Sequence, residues 1–287
     1  CTVRDASGTT KLASAWRRIR VGAEDKGPAF EKKNHVAPVL RLRSLDTTQP
    51  ELAAFARSAA GLRREPVIII DVRGNQGGGD GPVREFFGNL LGSDGKPPTH
   101  SRLGSEVVAQ GELNSVTCLL LDADGDAREA LERDRKAARE RLERRAAARQ
   151  LDRTWEQRSA VSLRVGTGTH IAFDGVVIVV ADAACASSCE TVIAHARQLP
   201  RSIIVGENTG GAGRFGENLP YRLPNSRIWL QLPSKQFDGA APEGVGHLPD
   251  LWLDGQYPET RVETIARCAS DESCFAKLTA SYSGGRK

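Results

Sequence analysis

The chain has 287 residues, enough to bury a substantial core as one large α/β domain or one domain with an excursion. Forty Lys and Arg against 36 Asp and Glu leave a net charge of only +4, which argues against a nucleic-acid or membrane-surface specialist. No apolar run reaches the length of a transmembrane helix, and six cysteines are too few for a disulfide scaffold at this size.

Cys1–Gly8 reads as a strand already under way, so the chain is taken as a piece whose leader has been removed. Residues 1–34 give a hairpin-like start, with Thr2–Asp5 and Lys11–Ile19 flanking an Ala-Ser-Gly turn before a charged linker. Val36–Leu45 alternates apolar and basic residues and predicts a half-exposed strand. Over 51–64, Leu52, Phe55, Ala56, Ala59 and Ala60 share one helical face, closed by Arg-Arg-Glu-Pro. Pro66-Val-Ile-Ile-Ile-Asp-Val has the continuous apolar character of a strand covered on both faces. It enters Arg73-Gly-Asn-Gln-Gly-Gly-Gly-Asp80, and a helix over 82–91 follows. That alternation implies a largely parallel sheet covered by helices. The glycine loop has neither the Lys-Ser/Thr ending of a P-loop nor Gly-x-Gly-x-x-Gly spacing. Its amides suit an oxyanion hole instead.

A strand is expected at Val116–Leu121. Asp122-Ala-Asp-Gly-Asp126 looks briefly like a calcium loop, but Ala127 and Arg133 stand where an EF-hand needs Gly and Glu. From Asp126 to Arg158 there is neither Gly nor Pro. Arg, Glu and Ala dominate, which predicts one long helix or a helical pair bent near Arg149. Its sparse apolar positions make it a solvated excursion that shields a cleft or meets a partner.

Val176-Val-Ile-Val-Val-Ala is a second strand of fully buried character. Asp182–Ser188 is a tight turn of small residues, and from Glu190 the spacing becomes helical. Ser187 and Ser188 therefore stand where a rigid strand hands over to a helix, beside amides with no intrahelical partner. A hydroxyl in that place suits acyl transfer. Ser187-Ser-Cys-Glu190 equally fits a capping box, in which Ser and Glu satisfy orphan amides reciprocally. Cys185 and Cys189 flank the turn as a bridge or as two buried thiols. Cys268 and Cys274, six apart, suit a local bridge and an oxidising compartment. Ile203–Gly206 is a further strand ending in a glycine-rich loop, Asn218–Ser226 and Arg227–Leu232 suggest a strand pair, and Glu259–Cys268 an amphipathic helix.

Three motifs occur in order. Ile68-Ile-Ile-Asp-Val-Arg-Gly-Asn-Gln-Gly-Gly, then Ala186-Ser-Ser-Cys-Glu190 with Val205-Gly-Glu-x-Thr-x-Gly, then Glu243-Gly-Val-Gly-His-Leu-Pro-Asp250. Together, over roughly residues 36–255, they resemble the C-terminal-processing and tricorn-type serine peptidases. The resemblance implies a crotonase-like α/β core, no cofactor, and a peptide or protein as substrate. It implies Ser187 as nucleophile, the amides of Ser188 and Gly77 as oxyanion hole, and Glu190 as a structural partner of the turn. Glu243 matches a catalytic Glu of the tricorn branch. The processing branch has a Lys base where this chain has Ala212, and the tricorn branch has a His on the first core strand where this chain has Arg41. His35, just before that strand, is the first candidate base; His247, His195, His100 and His170 are the others.

The expected organisation is an N-terminal β segment and linker (1–34), a first part of the core (35–121), the helical excursion (122–165) and the rest of the core (166–287). The excursion could serve in a homo-oligomer. The compartment expected is periplasmic or extracellular. A catalytically silent relative that binds a peptide or small apolar ligand is a second reading, and a crotonase-type acyl-CoA enzyme a third, the last resting on fold analogy alone.

Overall fold

The computed structural model describes residues 2–5, 8–11, 28–92, 99–121, 123–148, 155–159, 173–223, 225–238, 240–253 and 259–283. A small antiparallel pair, β1 (Thr2–Asp5) and β2 (Gly8–Lys11), opens the chain. Most of the expected strand at Lys11–Ile19 lies outside the described residues.

The body is a mixed α/β structure on a mostly parallel six-stranded sheet. Its elements are β3 (Phe30–Asn34), β4 (Pro38–Leu42), α1 (Glu51–Leu62), β5 (Val67–Asp71) and α2 (Gly81–Leu91). After two insertions come β8 (Val176–Ala181), α5 (Ser188–Ala196), β9 (Ser202–Gly206), β12 (Leu251–Trp252), α6 (Glu259–Ala269) and α7 (Glu272–Ser283). The strand order is β12-β9-β8-β5-β4-β3, and only β3 runs antiparallel to its neighbour.

Alternation of side chains explains the layers. Ile68, Ile70, Val177 and Val179 face α1, α2 and α5 across one core, where Phe55 stacks on Phe86 with centroids 4.5 Å apart. Their neighbours Val67, Ile69, Val176, Ile178 and Val180 face Val262, Ile265 and Ala266 of α6. Every residue of β5 and β8 is buried, as expected of central parallel strands.

A second sheet, antiparallel and four-stranded, is built from the insertions. β6 (Thr99–Leu103), β7 (Trp155–Ser159), β10 (Phe215–Arg222) and β11 (Trp229–Phe237) lie in the order β10-β11-β6-β7. Two expectations are corrected here. Val116–Leu119 belongs to α3 (Glu106–Leu119), which Ser105 starts by accepting the Val108 amide on its Oγ. The long helix is α4 (Gly125–Ala148), 24 residues, and Trp155–Arg158 is strand rather than helix because it pairs with β6. α4 lies against α3, where Arg141 Nε bonds Glu112 Oε2 at 2.9 Å, and most of its surface is exposed. Among the described residues no helix is long and apolar enough to cross a membrane.

Candidate active site

The turn after β8 is stitched to the loop after β5, and Asn75 is the centre of the stitching. Its fully buried side chain donates Nδ2 to Leu42 O at 2.9 Å and accepts the Gly77 amide on Oδ1 at 2.8 Å. Its carbonyl accepts the Ala186 amide at 3.2 Å. Asp182 adds a second tie, accepting the Gly74 amide on both carboxylate oxygens at 3.1 Å. Ser188 Oγ donates to Gly78 O at 2.8 Å. Two segments more than a hundred residues apart thus become one ridge at the carboxyl edge of the parallel strands.

Ser187 sits on that ridge at φ 54, ψ −126, a backbone conformation that costs a non-glycine residue on the order of 1–3 kcal/mol. It is exposed, it precedes α5, and its hydroxyl makes no helix-cap hydrogen bond. The capping-box alternative is therefore not realised. Glu190, 3 % exposed, instead turns inward: Oε1 accepts the Gly211 amide at 2.9 Å and the Thr209 hydroxyl. Oε2 is buried without a partner among the described residues. A disulfide joins Cys185 to Cys189, so the turn is clamped on both sides of the two serines.

Gly77 has to be glycine here. At φ +103, a Cβ on it would stand 2.8 Å from Ala186 O and from Ser187 Cβ. Its amide, however, is already given to Asn75 Oδ1. The amides of Gly78 and Ser188 have no acceptor among the described residues, and Gly78 is exposed.

Ser187, Ser188 and Gly78 border a groove of about 510 Å³, with the near face of α5 as floor and β10 and β11 on its other side. Ala212 and Gly213 also border it. His247 and His195 do too, and burial holds both imidazoles below the ordinary value. His247, which Arg197 depresses further, comes down to about 4; for His195 the Asp80 carboxylate opposes the burial and the Arg84 charge reinforces it.

Two of the expected site residues do not come to the groove. His35 precedes a parallel strand and so lies at the amino edge of the sheet, a strand length (roughly 15 Å) from the edge that carries Ser187. It is exposed, with Nδ1 3.6 Å from Glu263 Oε1. Glu243 is exposed and outside the groove lining. Its motif acts through the backbone, Gly244 N bonding Gly211 O at 2.7 Å and His247 N bonding Thr209 Oγ1 at 2.7 Å, which braces the loop that holds Glu190. Arg41 is a structural group. Its Nε lies 3.1 Å from Asp71 Oδ2 and its Nη2 3.3 Å from Glu259 Oε1. Burial would raise the Asp71 carboxyl, but hydrogen bonds and charge from Arg73, with the charge of Arg41, hold it below the usual carboxylate range. Of the other histidines, His100 pairs within the second sheet and His170 lies outside the described residues.

Sequence reasoning passed over Lys235 and Glu217, which also border the groove and pair at 3.0 Å. Their signal was absent from local pattern, because β11 reaches the groove only through the second sheet.

Residues 37–244 match the model for peptidase family S41. Among solved structures, mature CPAF complexed with lactacystin is 15 % identical with TM-score 0.47, covering 97 % of this chain and 66 % of that one. The photosystem II D1 C-terminal processing protease is 15 % identical with TM-score 0.44, covering 83 % and 47 %. The tricorn protease is 14 % identical with TM-score 0.37, covering 81 % and 18 %. The chain thus spans less than two thirds of the length of these structures. No curated protein matches the chain.

Proposed function

This chain belongs to peptidase family S41, and from that premise we propose that it hydrolyses peptide bonds with Ser187 as nucleophile. The observation that carries the reading is the strained, exposed Ser187 with an uncommitted hydroxyl at the start of a helix. Oγ adds to the scissile carbonyl carbon as its proton passes to a base, and the carbonyl oxygen becomes an oxyanion. Two N–H groups hold that oxyanion. Ser188 supplies one, and Gly78 rather than Gly77 the other, since the Gly77 amide is committed to Asn75. Collapse of the adduct expels the amine, which takes the proton, and water then releases the acyl group.

A second reading is favoured by a specific observation. Ala212 and Arg41 stand where relatives of the two branches carry Lys and His bases, and Arg41 is engaged by Asp71 and Glu259. In that reading the groove binds a peptide without cutting it. Labelling with a fluorophosphonate separates the two. The peptidase reading expects an adduct on Ser187 that disappears in Ser187→Ala; a folded protein that stays unlabelled supports the silent binder.

The two disulfides support a place outside the reducing cytosol, in the periplasm or beyond the cell.

A further inference from the structure

One buried titratable group has no part in the chemistry above. His195 lies two helical turns beyond Ser187 on α5, is 7 % exposed, and still borders the groove. Its Nε2 is buried with no hydrogen-bond partner among the described residues. The ring is held in place by stacking on Phe87, centroids 5.4 Å apart. Leaving such a nitrogen unpaired is costly, so its presence at a groove wall points to a group that arrives with the ligand.

The surroundings say what kind of group. Thr191, one turn earlier on the same helical face, donates Oγ1 to Asp80 Oδ1 at 3.0 Å and so fixes that carboxylate beside the groove. Asp80 is close enough to His195 for its charge to act on the ring, opposed by Arg84 from α2. Burial keeps the ring uncharged at neutral pH, which leaves it a lone pair to offer. Acids also outnumber cations on the groove walls, Asp80, Glu190, Glu217 and Asp238 against Arg197 and Lys235, although the whole chain is net positive. Both cations are already paired, Arg197 with Asp250 at 3.1 Å and Lys235 with Glu217 at 3.0 Å.

Resting on the reading of Ser187 as nucleophile, we propose that Asp80 and His195 form a subsite for a lysine or arginine side chain of the peptide substrate. Asp80 meets the positive charge, and His195 Nε2 accepts one of its N–H groups. Eight residues of helix rise about 12 Å. An extended peptide advances about 3.3 Å per residue. The basic residue therefore lies roughly three or four positions from the scissile carbonyl.

The test uses Ser187→Ala protein, which binds without turnover, and peptides in which one Lys is moved along an otherwise neutral sequence. Fluorescence anisotropy is expected to show binding at least about tenfold tighter for Lys at one position than for Gln there. Asp80→Asn and His195→Phe, each added to that protein and each checked for a cooperative melt, are expected to erase the preference. Affinity indifferent to the Lys, or a preference that survives both substitutions, overturns the subsite. Asp80→Asn guards against misfolding in the buried His195→Phe. Labelling of the parent protein by fluorophosphonate is scored separately. Its failure would remove the peptidase reading and leave the binding result to decide the subsite.

Discussion

A methyl group on Gly78 would stand 2.1 Å from the carbonyl carbon and oxygen of Leu45, both of them backbone atoms that have no room to retreat. The residue is also at φ +142, which a side chain tolerates poorly. Gly78→Ala should therefore destabilise the fold by about 3 kcal/mol or more, read as a lower melting temperature. Gly77→Ala meets the turn itself, at Ala186 O and Ser187 Cβ. It is expected to abolish fluorophosphonate labelling while lowering the melting temperature less than Gly78→Ala. Equal labelling of Gly77→Ala and parent would mean the turn is more yielding than its contacts imply.

Glu190 and Ala212 make a second pair of tests. Glu190→Ala removes the acceptor of the Gly211 amide and the Thr209 hydroxyl and should cost about 2–3 kcal/mol. Oε2 of Glu190 has no partner among the described residues, and the adjoining Gly213 is so close that a Cβ there would lie 2.5 Å from it. Ala212, next to Gly213, borders the same groove as Ser187. Ala212→Lys is expected to raise peptide hydrolysis at least about tenfold, which corresponds to about 1.4 kcal/mol of barrier. An unchanged rate would show that a lysine at that place cannot reach Ser187.

His247 sets a pH dependence. Its folded-state value of about 4 lies below the ordinary 6.5, so the unfolded chain takes up the proton more readily. Its contribution is complete above pH 6.5 and is lost as pH falls from there towards 4. His195 is shifted in the same direction and adds to the slope. His247→Gln should flatten, without abolishing, the fall in melting temperature across that window. Superimposable profiles for variant and parent would reject the assignment.

At the scale of elements, the disulfide and the helix start work together. The Cys185–Cys189 bridge closes a very short loop, and chain-entropy reasoning gives it about 2 kcal/mol. Cys185 O also accepts the Gly210 amide at 2.8 Å, so the clamp reaches the loop that holds Glu190. Replacing both cysteines by alanine should lower the melting temperature and also slow labelling of Ser187, because the turn gains freedom. The same change at Cys268 and Cys274, which tie α6 to α7, should lower stability and leave labelling unaltered. This division of the cysteines was partly legible beforehand. Spacing suggested the second bridge, but between Cys185 and Cys189 a bridge and two thiols read alike until the turn's geometry was known. The glycine loop and the strand-to-helix turn were legible because buried β-branched runs mark central parallel strands and Gly74–Gly79 has few other uses. Val116–Leu121 was misread because its apolar residues carry no period, and it is the Ser105 cap, eleven residues before Val116, that commits Val116–Leu119 to a helix.

For the whole molecule, what the sequence conceals is sidedness and long-range pairing. His35 looked close to the chemistry because it adjoins a core strand. In a parallel sheet the residue before a strand and the turn after the next one occupy opposite edges, so adjacency in the chain became distance in space. The second sheet was concealed for another reason. β6 and β11 are separated by more than a hundred residues, and no local pattern announces that Lys235 will stand opposite Arg102. Only the hairpin of β10 and β11 was visible, since its two strands are neighbours in sequence.

That separation has a consequence for biosynthesis. Glu190 finds the loop that donates to it, and the groove its far side, only in Thr209–His247, which leave the ribosome well after Ser187 has done so. On the proposed reading of Ser187, a half-made polypeptide carries that residue with no cleft around it, and is expected to be inert toward itself and its neighbours until the later segment has arrived.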